Sequence, residues 1–390
     1  MGMETYNQDF RVPFDYPVVF TRDLFAEKNP ALADALQRCP GGRAHRVAVF
    51  VDDGVLAKHP GLIPRMQAYF SSRGGTLDLV CPPVPAPGGE ALKNDYRRLM
   101  QVVDMMLEYQ LCRHSFVLIV GGGAILDAVG FGASIIHRGL RVVRVPTTVL
   151  AQCDAGIGVK NGMNLHGGKN TIGTFHPPFA VLNDSDFLQT LPDVHWAGGV
   201  AEAFKVAMIK DAEFFHDLCE WAPAVKTRNV GIMEKIVRQT AVLHLDHIRD
   251  AGDPFEQGSA RPLDFGHWLA HKLESMTAYK LSHGEAVSIG ISVDSIYAAN
   301  KGWLPEATAI RLLGALEACG LPVWHPALER CVEQNRLEVL RGLDDFREHL
   351  GGELCVTYPG PLGTKREVHE VEREGVAAAC RRLKEQKACL

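Results

Sequence analysis

The stretch Phe116-Val-Leu-Ile-Val-Gly-Gly-Gly123 decides the fold of this chain. Five apolar residues in a row are typical of a buried strand, and the three glycines lead into residues 124–136, whose pattern favours a helix. Glycines at such a junction let the backbone approach a pyrophosphate, and free N–H groups at the helix start point at the anion. The junction therefore predicts a dinucleotide site. Leu126 stands where a full G-x-G-x-x-G motif has glycine, so a plain tight turn is the alternative.

Strands and helices alternate on both sides of this junction. The further predicted elements cover residues 46–51 (strand), 66–70 (helix), 76–80 (strand), 90–109 (helix) and 141–145 (strand). This alternation predicts a parallel sheet covered by helices on both faces.

The second half of the chain has a different pattern. After about residue 191 long amphipathic helical segments dominate, and the charged tail from Lys365 is interpreted as a solvated helix. We therefore predict an α/β domain over residues 1–188 and a helical domain over residues 189–390.

The composition restricts the class of protein. The chain has 390 residues, 46% of them hydrophobic and 22% charged, which suits a globular protein of two domains. The formal net charge of −5 argues against a nucleic-acid-binding surface, which is usually basic. Its ten cysteines include no Cys-x-x-Cys pair, and neither a signal-peptide pattern nor an apolar run of about 18 residues occurs. We expect a cytoplasmic protein with reduced thiols that acts on a small molecule and binds neither nucleic acid nor membranes.

Three residues of the second half form a candidate metal site. They lie in Gly-Val-Ala-Glu202-Ala-Phe, Asp-Phe-Gly-His267 and Leu-Ser-His283-Gly-Glu. One carboxylate and two imidazoles suit a divalent metal such as zinc and leave a coordination position open for substrate, as a catalytic metal requires. His271 follows His267 by one helical turn, so a two-histidine site on that helix competes with this interpretation.

The segment 152–170 is unusually rich in Gly, Asn and Lys. Such a segment buries little apolar surface and makes a poor regular element, so a flexible surface loop is one interpretation. The other is that Lys160 and Lys169 bind a phosphomonoester as point charges with rotatable donors. Lys205 follows Glu202 by one turn, so it either reaches a substrate at the metal or forms an ion pair on a solvated surface.

Four charged residues near the nucleotide turn have similarly open roles. Asp127 lies one turn into the helix after the glycines, where it either complements the helix dipole or contacts the nicotinamide amide. Asp52 follows a predicted strand, where it either accepts ribose hydroxyls or lies in a solvated turn. Glu90 and Lys93 either bind the cofactor or begin an exposed helix.

Seven motifs follow one another in a specific order and spacing between about Arg46 and Pro359. They are Gly121-Gly-Gly-x-x-x-Asp127, Val145-Pro-Thr-Thr148, Asp154 to Asn170, Asp186-Phe-Leu-Gln-Thr-Leu-Pro192, Ala201-Glu202-x-x-Lys205, Phe265-Gly-His267 and His283-Gly-Glu285-Ala-Val287. Together they resemble the sugar phosphate cyclase superfamily, whose best-known member is 3-dehydroquinate synthase.

This resemblance implies a Rossmann-like NAD-binding domain, a helical metal-binding domain and an active site in the cleft between them. Arg138 resembles an arginine that reaches a phosphate in the neighbouring subunit, which implies a homodimer. The implied ligands of Zn²⁺, or of Co²⁺ in its place, are Glu202, His267 and His283. The residues that match NAD contacts are Asp52, Glu90, Lys93, Gly122, Gly123, Asp127, Thr147, Thr148, Asp154, Lys169, Phe187 and Thr190. Those that match substrate contacts are Arg138, Asp154, Lys160, Asn170, Lys205, Asp264, His271 and His349, of which Lys160, Lys205, Asp264 and His271 are expected to act in catalysis.

Departures from the dehydroquinate synthase pattern bear on the substrate. Those enzymes usually carry Leu-Asn-x-Gly-His, where this chain has Leu-Asp264-Phe-Gly-His267, and a Lys-Lys segment where it has Phe-Arg-Glu-His349-Leu-Gly-Gly. Both departures are similar to the sedoheptulose 7-phosphate cyclases, such as 2-epi-5-epi-valiolone synthase, although those commonly have Pro in place of His271. Because the charge of Asp264 repels a carboxylate and its oxygens accept hydrogen bonds from hydroxyls, the departure favours a sugar phosphate without a carboxylate.

We therefore expect an NAD- and metal-dependent lyase that converts a ketose phosphate, such as sedoheptulose 7-phosphate, to a carbocycle. Its expected steps are oxidation by NAD⁺, elimination of phosphate, return of the hydride, ring opening and an intramolecular aldol closure, with no net redox change. The alternatives are 3-dehydroquinate synthase itself and an NAD- and metal-dependent polyol dehydrogenase. Phosphate binding by Lys160 and Lys169 argues against the dehydrogenase.

Overall fold

The computed structural model describes residues 3–39, 42–165, 168–250, 254–255, 262–332 and 336–387, without the side chains of Pro262, His349 and Lys387. The elements of the first half are β1 (Val18–Thr21), α1 (Ala31–Gln37), β2 (His45–Asp52), α2 (Asp53–Lys58), α3 (Leu62–Ser71), β3 (Leu77–Leu79), β4 (Val84–Ala86), α4 (Glu90–Lys93), α5 (Tyr96–Glu108), β5 (Phe116–Gly121), α6 (Gly123–Ile135), β6 (Arg141–Pro146), β7 (Lys160–Leu165), β8 (Gly168–Phe175) and β9 (Ala180–Asp184). Those of the second half are α7 (Asp193–Lys210), α8 (Ala212–Lys226), α9 (Val230–Asp250), α10 (His267–Met276), α11 (His283–Asn300), α12 (Glu306–Ala318), β10 (Cys331–Val332), β11 (Arg336–Leu337), α13 (Arg341–His349), β12 (Val356–Pro359), β13 (Lys365–Val368) and α14 (Arg373–Lys387).

The predicted parallel sheet is confirmed. Its strands lie in the order β1-β9-β6-β5-β2-β3, β4 also pairs with β2, and every pairing is parallel. Successive residues of a strand face opposite sides of a sheet. In β5, Val117 and Ile119 therefore join the core formed with α5 and α6, while Phe116, Leu118 and Val120 join the core formed with α1 and α3.

Two predictions for the first half need correction in their bounds. The helix predicted over residues 90–109 is two helices, because Asp95 leaves helical geometry and caps α5 by accepting hydrogen bonds from Arg97 N and Arg98 N. The strand predicted over 76–80 is reduced to the three residues of β3.

The expectation that residues 152–170 make a poor regular element is wrong. Residues 151–155 form a π-helical turn, and β7 and β8 form an antiparallel hairpin in which Gly162 is opposite Gly173. A Cβ on Gly173 would lie 2.5 Å from the carbonyl oxygen of Asn161, so glycine here permits close strand contact. The preceding turn is held by the fully buried Arg144, which donates to the carbonyls of Gly158 (2.8 Å) and Lys160 (2.9 Å).

The helical second domain is also confirmed, and its helices share one large core. Helix α11 lies at its centre and is buried on all sides from Ala286 to Ala298, a stretch in which most residues are apolar. Two short antiparallel ribbons, β10–β11 and β12–β13, add to the helices. The tail is therefore not a simple solvated helix, since residues 365–368 pair as β13 and α14 buries Val376 and Leu383 in the core.

The last strand of the parallel sheet is β9, and the long helices begin at α7. The exact limits of the two predicted domains stay a prediction. The described cysteines are free thiols. Among the described helices, none is both long enough and apolar enough to cross a bilayer.

Candidate active site

Three ligand-type side chains of the helical domain converge. Glu202 projects from the middle of α7, and His267 and His283 are the first residues of α10 and α11. Glu202 Oε1 lies 3.6 Å from His267 Nε2 and 3.4 Å from His283 Nε2. Ligand atoms around a tetrahedral zinc, each at about 2.0–2.1 Å, are separated by about 3.4 Å. The two measured separations therefore suit one divalent ion.

The surroundings of Glu202 also suit a cation. Its side chain is fully buried, and its Oε1 accepts no hydrogen bond within the described part of the chain. The Lys205 ammonium forms an ion pair with Oε2, which leaves Oε1 facing the two imidazoles. Burial alone would raise the pKa of Glu202, but Lys205 and His267 hold it well below its ordinary value. The carboxylate is therefore ionised and able to serve as a ligand.

The first turn of α11 holds His283. Ser282 and Glu285 form a capping box, in which the backbone N–H of each donates to the side chain of the other. Gly284 lies against α7, where a Cβ would come within 2.3 Å of the carbonyl oxygen of Gly198. The His-Gly-Glu motif thus combines a ligand-type histidine, a close helix contact and a helix cap.

Backbone contacts on both sides hold His267. Gly266 has a φ of +78°, which favours glycine, and a Cβ on Gly290 would lie 2.1 Å from Gly266 O. Asp294 of α11 is fully buried and accepts hydrogen bonds from Gly266 N (3.0 Å) and Trp268 Nε1 (3.1 Å). Burial raises the pKa of Asp294 to about 8. The residues flanking His267 are therefore tied to α11 by one carboxyl group, which the sequence analysis did not identify.

Each of the two histidines has an acceptor at its second ring nitrogen. His267 Nδ1 lies 3.2 Å from the carbonyl oxygen of Phe265, and His283 Nδ1 lies 3.3 Å from Glu274 Oε2. Such acceptors hold a proton on Nδ1 and leave Nε2 to bind a metal. Burial alone would lower the pKa of His283, but Glu274 and Glu202 raise it to about 9. The site therefore favours a positive charge at this position.

A buried polar cluster continues from Glu202 towards α9. Lys205 is 2% exposed, which rules out the solvated-surface ion pair considered for it. Against the effect of burial, the charges of Glu202, Asp154 and Asp264 raise the pKa of Lys205. Asp154 in turn lies 2.7 Å from His244 Nδ1, a residue that sequence reasoning missed. Burial alone would raise the pKa of Asp154, but Lys205 and His244 hold it below its ordinary value.

His271 lies beside the candidate metal ligands without joining them. Its ring centroid is 5.5 Å from that of His267 and 6.1 Å from that of His283. His271 is exposed to solvent, and desolvation of its ring by the surrounding protein, together with the two neighbouring imidazoles, lowers its pKa. Ligand-type atoms of His271 group with those of Glu274 and His283 instead of with Glu202.

The predicted nucleotide residues line the carboxyl ends of neighbouring strands. Gly122 is the N-cap of α6 and lies beside Thr148, where a Cβ would be 3.3 Å from Thr148 Cγ2, and a Cβ on Gly123 would be as close to Ala155. Thr147 is buried and donates its N–H to Gly121 O. This edge of an open parallel sheet is where such folds bind ligands.

Asp52 lies at the same edge and has a local role as well. It is the N-cap of α2 and accepts hydrogen bonds from Gly54 N (2.7 Å) and Val55 N (3.4 Å). It is 9% exposed, so the solvated-turn interpretation is wrong, and burial raises its pKa. A Cβ on Gly121 would lie 2.9 Å from Asp52 Cβ, so the two predicted nucleotide residues adjoin each other.

Three further predicted nucleotide residues form contacts within the protein. Lys93 is buried and forms an ion pair with Asp127, so neither the exposed-helix nor the simple helix-dipole interpretation holds. Burial alone would lower the pKa of Lys93, but Asp127 and Glu90 raise it. Glu90 accepts a hydrogen bond from Asn164 Nδ2 at 2.7 Å, which ties α4 to the hairpin.

Phe187 and Thr190 meet at a residue that sequence reasoning missed. Both lie in the 3₁₀ helix of residues 185–190. Thr190 Oγ1 is 2.9 Å from His59 Nε2, and the ring of Phe187 contacts that of His59 edge-on at 5.3 Å. His59 directly follows α2, so these contacts join the 3₁₀ helix to the end of α2.

The hairpin carries three predicted substrate or cofactor residues. Lys160 is exposed at the start of β7, and Lys169 Nζ lies 2.6 Å from Glu274 Oε1. Asn170 is exposed, has a φ of +52° and donates its N–H to Asn164 Oδ1 at 2.9 Å.

Three remaining predicted substrate residues are spread over the molecule. Asp264 is half-buried in the 3₁₀ turn before His267, and its charge acts on Lys205. Arg138 is exposed beyond the far end of α6, about 20 Å along the 13-residue helix from the nucleotide glycines. His349 ends α13, but its side chain lies outside the described residues.

Comparison with known proteins identifies the family of the chain. Residues 83–198 match the family described as 3-dehydroquinate synthase N-terminal, and residues 199–340 match 3-dehydroquinate synthase C-terminal. The chain is 34% identical to a 3-dehydroquinate synthase of Ruegeria sp. (strain TM1040) over 78% of each chain. It is 33% identical to a 2-epi-5-epi-valiolone synthase of Streptomyces albus over 90% of this chain and 84% of the relative. The 2-epi-5-epi-valiolone synthase of Streptomyces hygroscopicus subsp. jinggangensis, solved with NAD⁺ and Zn²⁺, is similar in structure with a TM-score of 0.85, 30% identity and coverage of 98% of this chain and 100% of the other.

Proposed function

Since the chain belongs to the 3-dehydroquinate synthase family of sugar phosphate cyclases, we propose that it is an NAD- and zinc-dependent lyase acting on a ketose phosphate without a carboxylate. Sedoheptulose 7-phosphate is the proposed substrate, and the products are inorganic phosphate and a carbocycle. The observation that carries the substrate class is Asp264, whose charge lies close enough to Lys205 to act on it beside the candidate metal ligands. A substrate carboxylate bound there would be repelled, whereas hydroxyl groups would donate to Asp264.

Glu202, His267 and His283 would hold the metal. The fit rests on the buried Glu202 Oε1, which accepts no hydrogen bond within the described part of the chain, and on its separations of 3.4 and 3.6 Å from the imidazoles. Co²⁺ suits the same donors as Zn²⁺. When bound, the metal supplies Lewis-acid polarisation of a substrate oxygen, and NAD⁺ accepts and returns the hydride.

The chain's own residues would bind and orient the substrate. Lys160, exposed at the start of β7, is proposed to bind the phosphate, and Asn170 of β8 is proposed as a further substrate contact. Lys205 is buried and charged, and the acidic groups around it keep it so. It is therefore suited to bind a substrate oxygen as a cation, and His271 is proposed to contact the same substrate from the cleft.

NAD is proposed to bind at the carboxyl edge of the sheet. Its candidate contacts are Asp52, Glu90, Lys93, Gly122, Gly123, Asp127, Thr147, Thr148, Asp154, Lys169, Phe187 and Thr190. The glycines and the start of α6 are suited to a pyrophosphate.

The proposal includes a cytoplasmic homodimer with domains over residues 1–188 and 189–390. Arg138 lies too far from its own nucleotide turn to act there, since α6 separates them by about 20 Å. We therefore propose that it contacts the phosphate bound by the other subunit.

A second candidate, 3-dehydroquinate synthase, is favoured by one observation. The imidazole of His271 lies beside the candidate ligands, and sedoheptulose 7-phosphate cyclases commonly have Pro at this place. The two candidates differ in the carboxylate of the substrate, so a pair of substrates distinguishes them.

The test measures phosphate release from sedoheptulose 7-phosphate and from the carboxylate-bearing precursor of dehydroquinate, with Zn²⁺ and NAD⁺ present. We expect release from the heptulose phosphate, and we expect Asp264→Asn to shift the ratio of the two kcat/KM values about tenfold towards the carboxylate. Asp345→Asn, an exposed acidic residue of α13, is the matched control and should leave the ratio unchanged. Release from the carboxylate compound alone would overturn the proposed substrate, and oxidation of a polyol with accumulating NADH would favour the dehydrogenase.

A further inference from the structure

Glu274 of α10 connects the candidate metal site to the hairpin of β7 and β8. Its side chain is buried, and its two oxygens have different partners. Oε2 lies 3.3 Å from His283 Nδ1, while Oε1 lies 2.6 Å from Lys169 Nζ of β8. One carboxylate therefore links a ligand-type histidine of the helical domain to a lysine of the nucleotide domain.

We propose that Glu274 is a positioning residue through which Lys169 controls how tightly His283 binds the metal. This inference rests on the metal site of the proposed function and adds to it a residue that acts through His283. Glu274 is two helical turns after His267 on the same helix, so it faces the site without belonging to the Glu202 ligand set.

The first step of the argument concerns the imidazole. A metal binds a histidine through one nitrogen, and the proton on the other nitrogen needs an acceptor that fixes the ring. With Oε2 of Glu274 at Nδ1, the ring of His283 points Nε2 at Glu202 Oε1, 3.4 Å away. Without that acceptor, the ring can rotate about its bonds to the backbone, and the ligand atom loses its fixed position.

His267 provides an internal comparison. Its Nδ1 lies 3.2 Å from the carbonyl oxygen of Phe265, an acceptor that no side-chain substitution removes. The orientation of the two histidines is therefore set by different groups, and a change at Glu274 should act on His283 alone.

The second step concerns Lys169. A buried carboxylate requires a compensating charge or hydrogen bonds, and Lys169 supplies an ammonium to the oxygen that does not face His283. Loss of Lys169 would leave that oxygen unpaired and allow the carboxylate to turn away from the ring. Because this effect passes through Glu274, it should vanish once Glu274 itself has been replaced.

The test measures Zn²⁺ affinity by competition with a chromophoric chelator and follows the visible absorption of bound Co²⁺ as a report on coordination. No substrate is present. The variants are Glu274→Gln, Lys169→Gln and the double variant, with Glu274→Ala as a second replacement in case the amide still accepts from His283. Lys272→Gln is the control, because Lys272 lies on the same helix and pairs with the exposed Asp345. Circular dichroism and thermal unfolding establish that each variant is folded.

We expect Glu274→Gln to weaken Zn²⁺ binding about 10- to 100-fold, the usual effect of removing an acceptor behind a ligand histidine. Lys169→Gln should weaken binding several-fold, and the double variant should bind as weakly as Glu274→Gln alone. Lys272→Gln should bind as the wild type does. Wild-type affinity in folded Glu274→Gln and Glu274→Ala, or losses that multiply in the double variant, would overturn the proposal. Metal affinity is independent of the substrate, so a protein that behaves as expected here but releases no phosphate would contradict the proposed function alone.

Discussion

Replacement of Gly284 by alanine tests whether close helix contact sets the geometry of the metal site. A Cβ on Gly284 would lie 2.3, 2.4 and 2.5 Å from the O, Cα and C atoms of Gly198. Ordinary contacts between such atoms are about 3.5 Å, so α7 and α11 would have to separate by about 1 Å. Glu202 follows Gly198 by one turn and His283 precedes Gly284, so their 3.4 Å ligand separation would change by a similar amount.

The expected cost follows from this displacement. Insertion of a methyl group into a packed helix contact typically costs about 1–3 kcal/mol, and each 1.4 kcal/mol corresponds to a factor of about ten in an equilibrium constant. We expect Gly284→Ala to lower the free energy of unfolding by about 1–3 kcal/mol and to weaken Zn²⁺ binding at least tenfold. Urea denaturation and chelator competition measure the two quantities.

Gly314→Ala is the matched control. Gly314 is an exposed residue of α12, and a Cβ there would meet no atom within 4 Å. Alanine in a helix is favoured over glycine by about 0.5–1 kcal/mol, so this variant should be slightly more stable and bind Zn²⁺ as the wild type does. A Gly284→Ala variant with wild-type stability and metal affinity would refute the claim that the glycine contact sets the ligand spacing.

Further substitutions test other parts of the account. Glu202→Ala should lose bound metal and turnover together, as metal analysis and phosphate release would measure; full activity without metal would contradict the ligand assignment. Arg144→Lys should lower the free energy of unfolding by about 3 kcal/mol, because a buried lysine cannot satisfy all the acceptors that the guanidinium binds; unchanged denaturation would contradict its role in holding the hairpin. Burial and Lys210 lower the pKa of His247 from 6.5 to about 4. Between these pH values the folded state therefore binds fewer protons than the unfolded state. The free energy of unfolding should fall by about 1–2 kcal/mol as the pH drops from 6.5 towards 4. His247→Gln should reduce that loss in urea denaturation at pH 7 and pH 5 and the exposed His114→Gln should not; equal losses in both variants would contradict the assignment.

The sheet was predictable because its strands are nearly continuous apolar runs. In β5, residues 116–120 are buried on both faces, and the apolar run by itself predicts this. The hairpin of β7 and β8 was not predictable in the same way. Its sequence is polar and glycine-rich, and it is ordered by Arg144, a charged residue within a buried strand whose partners lie 12 to 17 residues further along the chain.

The candidate site could be predicted in part for a similar reason. Glu202, His267 and His283 belong to recognisable motifs, and the structure brings them together. Sequence reasoning missed Glu274, His244 and Asp294, because only tertiary contacts place them next to the predicted site residues or their chain neighbours. Glu274 lies at i+7 from His267, which was the available signal, but an acidic residue at that spacing is common on any amphipathic helix.

The most direct test of the central claim follows inorganic phosphate and reduced cofactor together, in one reaction of the Zn²⁺-loaded protein with NAD⁺ and sedoheptulose 7-phosphate. If one site oxidises the substrate, eliminates its phosphate and then returns the hydride, each chain should release many equivalents of phosphate. Reduced cofactor should never exceed one equivalent per chain. Reduced cofactor that accumulates with turnover, or phosphate release that persists in Glu202→Ala without bound metal, would contradict the account.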